Sequence, residues 1–559
     1  MRKIMVCNSK VPMVQPWFFW RSVLLTVLCF WLLSSAQPAY AADAVVSGAC
    51  TETQFDAALT TVQTTGGGTL TFACGGAKTI TLTAQKNLIV NTTLDGGGVI
   101  TLSGGDATRL FFVNGGVRFV TNNITLSNGS SPVGGGLVEA TGAQMTFNNT
   151  RLLNSRADAQ GGAIYCFVGT GGTLTLNNST VEGNLSHRGG GIYNDGCAMT
   201  VNNSQFRNNR ATLTSSGGTA GGGGIYNATG SQLTIVRSTL QGNNGFDGGA
   251  LTVATGASAL IQGSTIQSNQ AAYGAGLENS GVVTVTDSLL HDNRAENVGG
   301  GLWNLNGQVV MTRTTVSANR AFEGGGINSY GDHVELYNVN IINNQATGSD
   351  GGGIYHTGGT FFVTNGTISG NTAKRDGGGI HQNSGDNLLL RNVTVSGNQA
   401  ERFGGGFHHL ARFAILINVT LGNNMAVAGN ALYESADGSA GPGILQLTNT
   451  LIFGSVNNCD GNLFQSGGHN VTAGSCSSLV NATDRQVNDA LIGALSYNGG
   501  FFVMQTHLPL AGSPVINGGD GASCRATDQR GAARVGVCDV GAVEADAALP
   551  RGYLPLITK

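Results

Sequence analysis

Three carboxylates offer the most plausible catalytic constellation of the 559-residue chain: Glu323, Asp350 and Asp376, each immediately before a glycine-led phrase in three successive repeats, with Asp247 in the same place earlier. If the repeats stack, neighbouring carboxylates stand roughly 5 Å apart. That is close enough to share a calcium ion or to split their pKa values for acid/base work. Lys374, Arg375 and Arg402 lie near them in sequence and could neutralise an acidic sugar or the acids themselves. The competing reading is a solvated loop with charge-paired corners. A second set is the residue after each core aliphatic: Tyr165, Tyr193, Tyr226, Trp303, Tyr355, His381, His408 and Tyr433. A row of rings at strand spacing could stack on the sugar faces of a polysaccharide. The competing reading is that aromatics simply favour strands. His356, His381, His408 and His409 fall in three successive phrases, the pattern of a surface histidine row that could take a transition metal or sense pH, or be incidental.

The elements that must position these residues are repeats. GGAIYC from Gly161 returns as GGGIYN from Gly189 and Gly222, and continues through Gly248, Gly274, Gly299, Gly324, Gly351, Gly377 and Gly404 to a decayed GNALYE at Gly429, about every 26 residues. GGGLVEA from Gly134 precedes them. A fixed period of this kind marks a solenoid whose repeats bury their apolar faces against neighbours. A second element, Asn178 to Asn184, recurs as Asn365 to Asn371 and Asn392 to Asn398, preceded by alternating apolar residues such as Leu174 and Leu176. Each period thus holds about three short strands and no helical stretch, the pattern of a parallel β-helix. The fourth residue of each phrase, from Leu137 and Ile164 to Leu432, is expected to form the core column. The terminal asparagines, among them Asn184, Asn243, Asn269, Asn293, Asn319, Asn371 and Asn398, are expected at a corner where amides tolerate left-handed backbone and ladder between coils.

Composition agrees. Glycine makes up 89 residues and charged residues only 11%, with 40% apolar residues to build a long core. A net charge of −3 argues against nucleic acid or an anionic membrane as the partner. Arg2, Lys3, Lys10 and Arg21 precede an apolar run from Ser22 to Ala36 and a small-x-small site at Ala39 to Ala41, as in a signal peptide over 1–41. No later segment reaches spanning length. Eight cysteines remain, and sequence proximity favours Cys50 with Cys74, Cys166 with Cys197, Cys459 with Cys476, and Cys524 with Cys538, without proving it. Thr51 and Gln54 form a capping-box pattern ahead of Phe55, Leu59 and Val62, so a short helix within an N-terminal cap, 42–65, is expected to cover one end of the solenoid.

The repeats, through GGAI at Gly161 and the FxxN of Phe206 to Asn209, resemble those of right-handed, pectin-lyase-like β-helices and of polymorphic outer membrane proteins. LIGAL at Leu491, NGG at Asn498, GSPVINGGD at Gly512, DQRG at Asp528 and CDVGAVE at Cys538 resemble the choice-of-anchor Q domain. That resemblance implies an exported all-β protein: a right-handed parallel β-helix over 66–434, coils and an irregular disulfide-containing cap over 435–546, and a tail over 547–559. The family has no settled activity and carries varied surface anchors; no such anchor signal is recognised here, and the apolar Tyr553 to Ile557 is expected to pack on the cap or act as a sorting signal. Asp528, Arg530, Asp539 and Glu544 are expected in a buried salt-bridge and turn network. The expected function is a non-catalytic, glycan-binding, adhesin-like or structural protein of the cell surface or extracellular space, with a polysaccharide or envelope component as partner. The alternative is a calcium-assisted polysaccharide lyase or glycoside hydrolase whose groove is the acidic column.

Overall fold

Like stands above like along the chain. Ile164 pairs with Ile192, and the column runs through Ile225, Leu251, Leu277, Leu302, Ile327, Ile354, Ile380 and Phe407 to Leu432. All eleven are fully buried in one continuous core. These residues belong to a computed structural model that describes residues 41–547 apart from 168–170, 214–220, 385–386, 436–442, 462–463, 478 and 501. Nearly all of the expected signal peptide and C-terminal tail lie outside the described residues. The phrases form a parallel sheet of 15 strands, from Lys86–Leu88 to Cys459–Asp460. The rest of each coil feeds a long sheet, 28-stranded as described, and a third set of short strands such as Arg320–Ala321 and Gln345–Ala346. The molecule is a parallel β-helix of about fifteen coils.

The glycine phrase is explained at its first position. Gly351 has φ +70°, and a Cβ there would lie 2.6 Å from the Ile354 carbonyl oxygen and 2.7 Å from the Tyr355 Cβ. The backbone therefore doubles back onto the strand it starts, which only glycine allows. In the first full phrase this position is Gly135, at φ +58°, so the phrase begins one residue later than its letters suggest. Val138, not Leu137, then pairs with Ile164, and Glu139 joins Tyr165 in the outward row; Leu137 is nonetheless buried.

The terminal asparagines form the expected ladder. Each amide Nδ2, from Asn184 to Asn398, donates to the Oδ1 of the asparagine one coil on, at 2.9 to 3.0 Å, and also to a backbone carbonyl. Asn209, Asn344 and Asn424 complete the column. One detail of the expectation is corrected: the left-handed residue is the one before the ladder asparagine, such as Gly183, Asn208, Ser268 or Asn343. The ladder residue itself is freed to turn its amide inward.

At the N-terminus the helix spans Glu52–Thr64, with the Thr51 and Gln54 capping box formed and Phe55, Leu59 and Val62 buried in the same core. All four expected disulfides are present: Cys50–Cys74, Cys166–Cys197, Cys459–Cys476 and Cys524–Cys538. The coils finish with the strand Arg485–Val487. Beyond it the chain turns back and lies along the outer face of the long sheet, which no repeat pattern announces. Asn340 Nδ2 donates to the Val503 carbonyl at 2.9 Å, and Thr367 Oγ1 to that of Gln505 at 2.8 Å. Gln529 accepts from Thr394 Oγ1 at 2.6 Å and donates to the Gly366 carbonyl at 2.9 Å. Asp528–Arg530 at 2.7 Å and Arg534–Glu544 at 3.2 Å are buried ion pairs within this returning segment.

Asn319→Ala removes a donor to Leu290 and Asn344 and the acceptor for the Asn293 backbone and side chain. Stranding these buried groups is expected to cost about 1–3 kcal/mol. Chemical denaturation checks it, with Gln262→Ala on the exposed face expected to be neutral.

Candidate functional site

The three candidate carboxylates do stack, and their oxygens are occupied by the chain. Asp350 Oδ1 accepts the backbone N–H of Asp376 at 2.9 Å, and Asp376 Oδ1 accepts that of Phe403 at 3.2 Å. Glu323 accepts from Asn328 Nδ2 at 3.1 Å and Ser349 Oγ at 3.3 Å; the same hydroxyl is 3.2 Å from Asp350 Oδ2. Asp350 and Asp376 are only 7% and 3% exposed, while Glu323 is half-buried. Arg402 grips Asp376 through Nε, at 3.1 Å, and through its second guanidinium arm. Arg375 reaches Asp350 at 3.6 Å, and Lys374 pairs outside with Glu401 at 2.7 Å. Burial pushes the Glu323 and Asp350 carboxyls above their ordinary range, opposed by these hydrogen bonds. Asp350 and Asp376 are thus charge-paired corners tied coil to coil, whereas Glu323 is held by the neutral donors Asn328 and Ser349. Among the described residues no group of three or more His, Cys, Asp or Glu is arranged to hold a metal ion.

The aromatic row points away from the core, but it is not an open strip. Tyr193, Tyr226, Trp303, Tyr355, His381 and His408 are buried, and Tyr165 and Tyr433 are partly so. The rings stack on one another along the axis: Tyr193 on Tyr226 at 4.9 Å and 2°, and Tyr355 on His381 at 5.1 Å and 6°. His408 meets His381 edge-on at 4.8 Å and Tyr433 at 5.1 Å. Ring faces that a sugar would cover are therefore largely taken by the neighbouring coils.

The expected surface row of four histidines is corrected. Strand alternation divides it: His381 and His408 lie in the outward row, whereas His356 and His409 share the inward column with Gln382. All four are buried. His409 Nδ1 lies 3.0 Å from Gln382 Oε1, and His408 Nδ1 lies 3.8 Å from Asp376. Burial depresses His381 and His408 to about 3, and His356 and His409 to about 4. Glu278 occupies the same outward row, following Leu277. It is fully buried, accepts from Ser280 Oγ at 2.7 Å, and is pushed up to about 8 by burial, with Asp247 adding to the rise.

A parallel β-helix whose outward columns are closed by self-stacking is the class these observations define. No family model matches the chain, and no curated protein does either, so the resemblance of 491–544 to a choice-of-anchor Q domain stays at the level of motifs. The crystal structure of the periplasmic alginate epimerase AlgG is similar at a TM-score of 0.26 and 10% identity, over 65% of this chain and 77% of that one. A likeness that slight carries no argument about activity. No helix among the described residues is long and apolar enough to cross a membrane.

The buried groups set opposite pH dependences. The folded chain keeps these histidines neutral while the unfolded chain protonates them from about pH 6.5, so their contribution is intact above that pH and is lost as the pH falls toward 3 to 4. Glu278 runs the other way: the unfolded chain releases its proton near 4.5 and the folded chain near 8, so stability falls as pH rises through that interval. Melting curves across pH are expected to show Glu278→Gln raising the melting temperature at pH 8 to 9 but not at pH 4.5.

Proposed function

We propose that this chain is an exported, cell-surface or extracellular β-helix protein that binds glycan and serves a structural role, without turning the glycan over. The single observation that carries the non-catalytic part is the commitment of Asp350 and Asp376 to backbone N–H groups of the following coils. A general acid or base must be free to reach its substrate's proton, and these oxygens serve the coil–coil junction instead. The four disulfides suit an oxidising compartment outside the cytoplasm. A long, rigid, weakly charged solenoid offers one extended face to a polymer, as repeat proteins do.

Incubation of the disulfide-intact protein with plant and microbial polysaccharides, with calcium and with chelator, is expected to release no reducing ends while retaining polymer in affinity electrophoresis. Release above a Glu323→Ala, Asp350→Ala, Asp376→Ala triple variant would place catalysis in the acidic column and overturn the proposal.

A further inference from the structure

The long sheet also carries a short asparagine ladder from Asn338 to Asn392, which does not continue to Asn418. Asn365 Nδ2 donates to Asn338 Oδ1 at 3.3 Å, and Asn392 Nδ2 to Asn365 Oδ1 at 3.1 Å. The next rung fails. Asn418 turns its Nδ2 to Cys524 Sγ at 3.4 Å, and Asn392 Oδ1 is taken by Arg534 at 3.3 Å. Asn449, one coil on, donates to the Asp520 carbonyl at 3.1 Å. Asn418 is 1% exposed, and its Oδ1 has no hydrogen-bond partner among the described residues. A buried acceptor left this way costs about 1–3 kcal/mol.

That orphan amide lines a cavity of about 220 Å³ between the long sheet and the returning segment, with Arg391, Asn392, Ile417, Ser523 and Arg525 around it. Arg391 and Arg525 come close enough that burial and the charge of Arg525 both push the Arg391 guanidinium down. Neither arginine has a carboxylate within 4.0 Å among the described residues. Two carboxylates on this face are held by other donors: Asp520 by Ala522 N at 3.0 Å and Ser523 Oγ at 2.7 Å, and Glu335 by His333 at 2.9 Å and Tyr337 at 2.8 Å. The exposed Tyr337 stands two coils before Arg391 in the same column. Cys524–Cys538 fixes the backbone beside Arg525.

Two like charges facing one cavity ask for an anionic ligand. Guanidinium forks match a planar carboxylate, and Tyr337 offers a ring about two strand spacings, roughly 10 Å, away. We propose that this cavity is the subsite for an acidic sugar, a carboxylated and hydroxylated unit of a glycan. It rests on the glycan-binding reading above and names the chemistry and place of recognition.

The test is titration of the full disulfide-intact protein with polygalacturonate, hyaluronate and polysialate, against dextran, dextran sulfate and free glucuronate. Carboxylated polymers are expected to bind, with affinity falling at least tenfold in Arg391→Gln/Arg525→Gln and recovering in part in Arg391→Lys/Arg525→Lys. The Gln variant is expected to melt as the native protein does, because neither guanidinium makes an ion pair with a carboxylate among the described residues. Equal binding by native and Gln variants, or Arg-dependent binding of dextran sulfate as tight as that of the carboxylated polymers, overturns the subsite. Binding of dextran alone overturns the subsite and leaves glycan binding standing. Arg-dependent binding of free glucuronate with no polymer bound keeps the subsite and sinks the glycan surface; no binding at all sinks both.

Discussion

Every coil of this molecule must be compatible with a near copy of itself one strand spacing above and below. Aliphatic side chains meet that condition by packing, as the column from Ile164 to Leu432 does. Asparagine meets it by hydrogen bonding, because one amide both donates and accepts, and the ladder from Asn184 to Asn424 leaves no rung empty. Serine meets it through the backbone: Ser179 N donates to Ser204 Oγ at 3.0 Å, and Ser204 N to Ser238 Oγ at 3.0 Å. An ionised carboxylate only accepts, so it cannot ladder with its own kind. Asp350 and Asp376 stack nonetheless because the donor is the backbone N–H of the next coil, with Arg375 and Arg402 on the flank.

The same condition bears on where function can reside. A column that satisfies itself leaves little for a ligand, which is why the stacked rings of Tyr193, Tyr226, Tyr355 and His381 present edges and not faces. Among the described residues, buried polar atoms without a partner remain in the regular coils, at Glu278 Oε2, Trp303 Nε1 and Asn328 Oδ1, and also where the repeat is interrupted, at Asn418 Oδ1. The returning segment 490–547 interrupts it by laying Cys524, Gln529 and Arg534 across the outer sheet and drawing Asn418 out of its ladder.

Much of the fold was legible because period and alternation report directly on stacking. The core column and the capping box at Thr51 follow from local spacing, and sequence proximity favours the four disulfide pairs without proving them. The three consecutive glycines from Gly134 do not say which is left-handed; φ does, at Gly135. Strand parity separates His356 from His381, yet a row of similar letters conceals it. Burial of the outward row depends on how closely the glycine turns fold over the strands, and the path of the returning segment depends on contacts such as Thr394 with Gln529, 135 residues apart. Neither has a local signature.

Thermal unfolding of Asp376→Ala tests the account most directly, since Asp376 holds Phe403 N, Arg402 and the neighbourhood of His408. A structural carboxylate predicts a loss of about 2 kcal/mol with glycan binding retained. An unchanged or raised melting temperature, accompanied by loss of an activity on polysaccharide, would be the behaviour of a catalytic group held at the expense of stability and would contradict it.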